Sequence, residues 1–337
     1  AEENDAEQVK TAGNLEVHFI DVGQGDATLI KCDGHSMLID AGNNDKGTLV
    51  QNYLQHQGVE TLDYVIGTLP DADHIGGMDV VLYKFDCKTI IMPDVANNTR
   101  TYDDVVQTMK NKGYKTTYPV VGETYTIGGA AFTIIAPNKE YGNDMNSWSV
   151  GVLLQNGNHR FLFTGDAEEG AEQDILQNGI DISADVYKVA HHGSNTATSQ
   201  AFLDAVHPTY AVISAGEGNS YGHPHAEVLN RLRAAGVSVF RTDEQGTIVA
   251  ASDGTTLTWN MSPSESWQAG EAKKSQDTDK SEKSTDSQNN AETDAAVSNP
   301  TDQTDGNSDV IVHITNTGDK YHSAGCQYLR KSDIEVT

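Results

Sequence analysis

One decapeptide, Thr68-Leu69-Pro70-Asp71-Ala72-Asp73-His74-Ile75-Gly76-Gly77, limits the folds open to this chain more than any other stretch. It follows an apolar, strand-like run (Tyr64-Val65-Ile66) and precedes a helix-like one (Met78 to Leu82). The fold must therefore deliver two carboxylates and an imidazole, Asp71, Asp73 and His74, at the end of a strand. Carboxylate oxygen combined with imidazole nitrogen suits Zn²⁺, Mn²⁺ or Fe²⁺ better than Ca²⁺, which prefers oxygen alone. Gly76 and Gly77 are expected to let the backbone turn tightly beside such an ion, where side chains would crowd it. Taken alone, the same residues also read as an acidic turn with a stray histidine, and only the rest of the chain separates the two readings.

Residues 15–260 alternate short β-rich runs with helical ones. Val17 to Ile20, Ala27 to Ile30 and Ser36 to Ile39 read as three successive strands with Gly-rich turns. Leu49 to Gln57 reads as a helix closed by Gly58, Thr89 to Met92 as a buried strand, and Tyr102 to Lys112 as a helix ended by Gly113. Strand patterning returns at Ala131 to Ala136, Val150 to Leu154 and Arg160 to Phe163. The last third repeats strand and helix: Val186 to Ala190, Gln200 to Val206, Ala211 to Ser214, Ala226 to Ala235 and Val237 to Phe240. Helices outside two packed sheets account for this order.

Further segments then fall into a recognisable series: Phe19-Ile20-Asp21-Val22-Gly23-Gln24-Gly25-Asp26-Ala27, Leu38-Ile39-Asp40-Ala41-Gly42, Phe163-Thr164-Gly165-Asp166, Lys188-Val189-Ala190-His191-His192-Gly193-Ser194 and Asn219-Ser220-Tyr221-Gly222-His223-Pro224-His225. Together with the decapeptide, their order over residues 14–260 resembles the metallo-β-lactamase superfamily, in the form of ComEC-type DNA-uptake hydrolase domains. The resemblance implies an α/β fold, a four-layer αββα sandwich, holding one or two divalent transition metals (Zn or Mn). It also implies a ligand set drawn from Asp71, Asp73, His74, Asp166, His191 and His192, with Asp166 bridging two ions. Asp166 could instead cap a helix running from Ala167. Because neighbouring strand residues point to opposite faces, one histidine of the His191-His192 pair is expected to bind metal while the other touches substrate or orients a ligand. Asp73, His192, His223 and His225 are the candidate catalytic residues, a protonated His223 or His225 contacting phosphate or protonating a leaving group. Asn146 and Ser194 are candidates for substrate binding. Asp40 is expected to support a ligand from behind, and the hairpin of Asp21, Gln24 and Asp26 to support the cleft floor through its backbone.

One position departs from the family pattern, which has histidine where this chain has Leu69. Leucine offers no lone pair, so the first metal keeps only carboxylates, and the second is expected to fill preferentially, through Asp73, His74, Asp166 and one histidine. Two function classes follow. One is a metal-dependent hydrolase, phosphodiesterase- or nuclease-like, using a metal-activated hydroxide and impaired by Leu69. The other is a catalytically weak or inactive exported binding module on the same fold.

Charge narrows the substrate. Of the formal −27, residues 261–310 carry −7 and the last segment is balanced, which leaves about −20 on residues 1–260. A surface that acidic excludes an extended nucleic-acid footprint, which is normally basic, and leaves a small phosphoester or a short nucleic-acid segment as substrate. The sequence names no protein partner. Three cysteines are too few for a disulfide framework, and Cys32 and Cys87 read as buried thiols. No apolar run approaches the ~20 residues of a membrane-spanning helix. The polar N-terminal stretch 1–14, opening on Ala1, suits an exported chain tethered or processed upstream. Residues 261–309 read as a disordered acidic Ser/Thr/Asp/Lys linker. Residues 310–337, with Tyr321-His322 and Gly325-Cys326, resemble an incomplete Ada-like metal-binding module in which His322 and Cys326 fill two of four tetrahedral positions.

Overall fold

The computed structural model describes residues 12–270 and three short strands at 312–314, 321–323 and 334–336. The chain divides into two compact units, Ala1–Gln276 and Asp277–Thr337. In the first, the described strands are β1 (Leu15–Phe19), β2 (Thr28–Cys32), β3 (His35–Ile39), β4 (Thr61–Ile66), β5 (Asp86–Ile91), β6 (Thr116–Thr117), β7 (Thr124–Ile127), β8 (Ala130–Ala136), β9 (Gly151–Asn156), β10 (His159–Phe163), β11 (Val186–Lys188), β12 (Tyr210–Ile213), β13 (Ser238–Arg241), β14 (Ile248–Ser252) and β15 (Leu257–Trp259). They form an eight-stranded sheet, β15-β14-β1-β2-β3-β4-β5-β6, and a seven-stranded sheet, β13-β12-β11-β10-β9-β8-β7.

Three apolar clusters define four layers, because alternate strand residues face opposite sides. Val17 and Phe19 of β1, Ile30 of β2 and Ile39 of β3 meet Phe132, Val152, Phe161 and Val212 from the other sheet. The intervening Leu29, Leu38 and Val65 face outward and pack with Val50 and Leu54 of helix Gly47–His56 and with Val105 and Met109 of helix Arg100–Lys112. On the far side, Leu162, Tyr187 and Val239 are covered by Phe202 and Leu203 of helix Gln200–Val206 and by Val228 and Leu232 of helix Ala226–Ala234. This is the expected αββα sandwich.

The pairing also aligns the chemistry. Strands β3-β4-β5 run parallel, as do β10-β11-β12-β13. Asp40, the Thr68–His74 segment, Asp166, the His191-His192 pair and the 214–225 loop all follow the carboxyl ends of such strands, where open α/β sheets place their ligands.

Two expectations change. Strands β14 and β15 extend the first sheet beyond β1, with Val17 opposite Ala250 and Ala250 opposite Trp259. At five and three residues they are too short to give a clear strand signal by themselves. The linker also begins later than composition placed it, since 261–270 lies on the folded body. Ser264 N donates to Val239 O (2.7 Å), Gly270 N donates to Pro224 O (2.9 Å), and Trp267 and Ala269 pack on the second sheet's outer cluster. Residues 271–309 lie outside the described residues.

In the second unit Val312–Ile314 pairs antiparallel with both Tyr321–Ser323 and Ile334–Val336, placing His322 opposite His313. Cys326, the other residue of the incomplete Ada-like set, lies outside the described residues.

Candidate metal centre

The decapeptide leaves β4 and forms a one-turn helix, Ala72–Ile75, with Asp71 at its N-terminus. The hairpin after β1 lies directly against it. Asp26 N donates to Asp73 O (3.0 Å), and Gly25, at φ +137°, passes so close that a Cβ there would collide with Asp73 O. Gly76 and Gly77 are crowded as well, though by the backbone of residues 41–47 and by Ala72 O rather than by space reserved for an ion. Their glycines serve loop packing, which corrects the reason given from sequence.

Four side chains converge here. Asp73, His74, Asp166 and His192 each offer one donor atom, all within 4.8 Å of one another. His74 Nε2 lies 3.2 Å from Asp166 Oδ2, and His192 Nε2 lies 3.3 Å from Asp73 Oδ2 and 3.6 Å from Asp166 Oδ2. His74, Asp166 and His192 are buried, yet His74 Nε2, His192 Nε2 and Asp166 Oδ1 have no hydrogen-bond partner. Buried polar atoms left in this state cost about 1–3 kcal/mol each unless another group satisfies them.

The opposite ring nitrogens show which atom carries the proton. His192 Nδ1 lies 3.1 Å from Ser214 O, and a carbonyl can only accept, so Nδ1 is the donor. His74 Nδ1 lies 2.9 Å from Asp40 Oδ2, whose carboxylate also accepts from Thr68 N (2.8 Å) and Thr68 Oγ1 (2.7 Å). In its neutral form each imidazole thus turns the lone pair of Nε2 toward the same point, as metal-bound histidines do. Orphaned donors and fixed tautomers both fit a divalent transition ion.

Charge reinforces that fit. Burial opposes protonation of His74 and His192, but the surrounding carboxylates outweigh it. Asp166 and Asp40 raise His74 well above its ordinary value, and Asp166, Asp26 and Asp73 push His192 up to about 10. Burial likewise opposes ionisation of Asp166, but His74, His192 and His191 hold it well below the usual carboxylate range. The site gathers positive charge around the Asp166 carboxylate.

Other candidates are placed differently. Asp71 stands apart from the four-residue set. Its Oδ1 accepts from Asn97 Nδ2 (2.9 Å), and burial raises its pKa. Leu69 is fully buried and joins none of the three apolar clusters. Asp166 caps no helix, because the following one spans Glu169–Gln177 with Glu168 at its N-terminus. Strand β11 ends at Lys188, and His191 and His192 sit in a turn at φ +50° and +54°, a left-handed conformation that costs of order 1–3 kcal/mol per residue. That turn splays the two rings. His191 lies outside the converging set, with Nε2 3.7 Å from Asp166 Oδ2 and Nδ1 3.2 Å from Thr196 Oγ1 and 3.4 Å from Glu168 Oε1. Asn146 belongs to this network through Nδ2, which donates to Glu168 Oε1 (3.2 Å). Ser194 is buried, its Oγ 3.0 Å from Thr196 Oγ1.

His223 and His225 separate in role. His225 Nδ1 accepts from Asn195 N (2.9 Å), so Nε2 carries the proton and donates to Tyr221 O (3.2 Å). Both nitrogens are occupied in tying loops, and His225 is no catalytic candidate. The His223 ring lies over the site, 5.6 Å from the His191 ring and 6.2 Å from the His192 ring. Burial, then the neighbouring imidazoles, push its pKa down to about 4, so it enters as a neutral imidazole rather than the protonated one expected. Gln24 Oε1 accepts from Gly216 N (3.3 Å), which turns Gln24 Nε2 toward His223 Nδ1 (3.4 Å) and leaves His223 Nε2–H as a donor.

Lys188, Ser214, Glu168 and Thr196 also contact the site residues, though none of them belongs to the expected ligand set. A lysine within the buried run Val186-Tyr187-Lys188 carried a legible signal, since it demands a buried counter-charge. The carbonyl of Ser214 had none.

The metallo-β-lactamase superfamily model matches residues 20–217. ComE operon protein 3 of Bacillus subtilis (strain 168) is 31% identical over 255 residues, covering 69% of this chain and 32% of that protein. Recombination protein 2 of Haemophilus influenzae is 32% identical over 238 residues, covering 69% and 28% respectively. The chain thus spans about a third of the length of these curated relatives. The crystal structure of the metallo-β-lactamase fold protein YhfI from Bacillus subtilis is 13% identical, with a TM-score of 0.48, covering 71% of this chain and all of that one.

Proposed function

Since the chain belongs to the metallo-β-lactamase superfamily, we propose that it is a metal-dependent hydrolase of phosphoesters acting on small or single-stranded substrates. One observation carries the reading: Asp73, His74, Asp166 and His192 bring their donor atoms within 4.8 Å of one another, and the two buried imidazole nitrogens, His74 Nε2 and His192 Nε2, have no hydrogen-bond partner. When bound, a divalent transition ion supplies a Lewis acid and lowers the pKa of water toward neutrality. Asp73, His74, Asp166 and His192 would hold it. Asp40 and Ser214 O keep the two imidazoles aimed, and His223 Nε2–H offers a neutral donor to a substrate oxygen. The His191–Thr196–Glu168 network flanks Asp166 and can accept a proton at His191 Nε2. The name of one relative, recombination protein 2, supports a nucleic-acid-related substrate. The acidic surface favours short ends over long duplex.

We place one ion per chain in this set, because Asp71 stands outside it and Leu69 offers no donor. That leucine also favours a second reading, a binding module with little activity. Elemental analysis after dialysis against Zn²⁺ or Mn²⁺, paired with hydrolysis of a simple phosphodiester by native and Asp166→Ala protein, separates them. About one ion and an Asp166-dependent rate support the hydrolase. One ion without turnover supports the binding module.

A further inference from the structure

Beside the metal ligands the structure holds a cleft of about 340 Å³ lined by Gln24, Asn43, Ala72, Asp73, Asn219, Ser220 and Tyr221. Asp73 therefore faces both the converging donors and this cleft. Tyr221 is the outlier among the lining residues, an aromatic side chain 64% exposed on a loop that is otherwise tightly held. Asn219 fixes that loop: its Oδ1 accepts from Tyr221 N (3.1 Å) and His223 N (3.0 Å), and its Nδ2 donates to Gly216 O (2.9 Å) and His223 O (2.6 Å). The Tyr221 ring stacks on His223, with centroids 5.5 Å apart and planes 18° apart. The ring is thus backed on one side, in an offset stack, by an imidazole that itself lies against His191 and His192, while most of the residue stays exposed.

We propose that the exposed side of Tyr221 is a ring subsite, on which a planar nucleobase of the substrate stacks while its phosphate lies at the Asp73 end of the cleft. Rigidity, exposure and position all enter. A pre-ordered aromatic loses little freedom when a ring covers it. Stacking on an aromatic side chain tolerates any base, since each presents a π-face. The walls beyond it, Asn43, Ser220 and Gln24, are polar and uncharged, which suits base edges better than a second phosphate. The volume lies at the low end for small-ligand clefts, enough for one nucleotide and too small for a duplex. The cleft thereby selects an unpaired terminal or looped nucleotide.

The subsite rests on the phosphoester reading, and its test separates the two. Binding of thymidine 5′-monophosphate and of ribose 5-phosphate to the full, Mn²⁺-loaded chain would be measured by calorimetry, with native protein, Tyr221→Ala, Tyr221→Phe and Tyr221→Trp. Native protein should bind the nucleotide about tenfold more tightly than the sugar phosphate, within the range of a single base stack. Tyr221→Phe and Tyr221→Trp should keep that preference, and Tyr221→Ala should reduce it below about twofold. Equal affinity of native protein for both ligands, or a preference that survives Tyr221→Ala, overturns the ring subsite and leaves the phosphoester reading in place. No binding of either ligand overturns both.

Discussion

Asp26 stands between Lys188 and His192: its Oδ2 accepts from Lys188 Nζ at 2.8 Å, and its Oδ1 lies 3.2 Å from His192 Nδ1. All three side chains are buried, and Lys188 is 2% exposed. A carboxylate so enclosed is tolerable only while a cation compensates it, and burial, which opposes its ionisation, is outweighed by Lys188 and then His192. Asp26 thus ties the floor hairpin after β1 to the turn after β11, where the sequence suggested only backbone support. Lys188→Met should destabilise the protein by up to about 3–5 kcal/mol, because buried Asp26 loses its largest counter-charge and keeps only His192. The double variant Lys188→Met, Asp26→Asn should regain most of that loss, as measured by urea unfolding. Strict additivity of the two single changes would show that the pair is not coupled.

Asp40 makes a cleaner probe of the metal site. It sits at φ +58°, in the left-handed region that asparagine accepts more readily than most residues, so Asp40→Asn adds little backbone strain. The change removes the negative charge behind His74 Nδ1 while keeping an oxygen for Thr68. Metal affinity should fall about 10- to 100-fold, the range found for such supporting partners, as read by competition with a chelator. An unchanged affinity would exclude His74 from the ligand set.

How much of this was readable depends on where each interaction closes. The layer order followed from strand alternation and from glycines such as Gly113, which ends its helix at φ +74°. Asp73, His74, Asp166 and the histidine pair were readable because motif residues cluster in sequence. The choice of His192 over His191 was not, since it depends on two successive left-handed residues whose conformation no pattern announces. Ser194 and His225 lie close in sequence to His192 and His223, yet their polar atoms turn to nearby loop partners. Strand β14 escaped because its identity comes from pairing with β1, over 200 residues away.

The same charges give the metal-free and metal-bound proteins opposite pH responses. The folded pKa of His192, about 10, lies above its ordinary value near 6.5. Its contribution to metal-free stability is therefore complete below about pH 6.5 and fades as pH rises toward 10. Metal needs neutral imidazole, so affinity should rise over that window as protons cease to compete. Thermal melts from pH 6.5 to 9.5 should show the metal-free midpoint falling while the stabilisation added by a fixed Zn²⁺ excess grows. Calorimetry at pH 7 in buffers of different ionisation enthalpy should find about two protons released per ion, one each from His74 and His192. Zero release would mean that both rings are already neutral.

Leu69→His tests whether the missing imidazole limits the chemistry. Leu69 follows Thr68, whose hydroxyl reaches Asp40, and precedes the Pro70-Asp71 turn, so a ring there enters the same buried layer. Without metal the new imidazole is a buried polar group short of partners, and stability should drop by about 1–3 kcal/mol. With Zn²⁺ or Mn²⁺ it joins Asp71 and Asp166, and three protein donors then face a second ion. Elemental analysis should rise from about one ion per chain toward two. Phosphodiester hydrolysis should rise at least about tenfold, equivalent to ~1.4 kcal/mol of barrier, and Asp166→Ala should abolish the gain. A variant that takes up the second ion yet stays inactive on phosphodiesters and phosphate monoesters would place the binding-module reading first. In that case the donors around Asp166 would hold a metal that shapes the cleft without driving turnover.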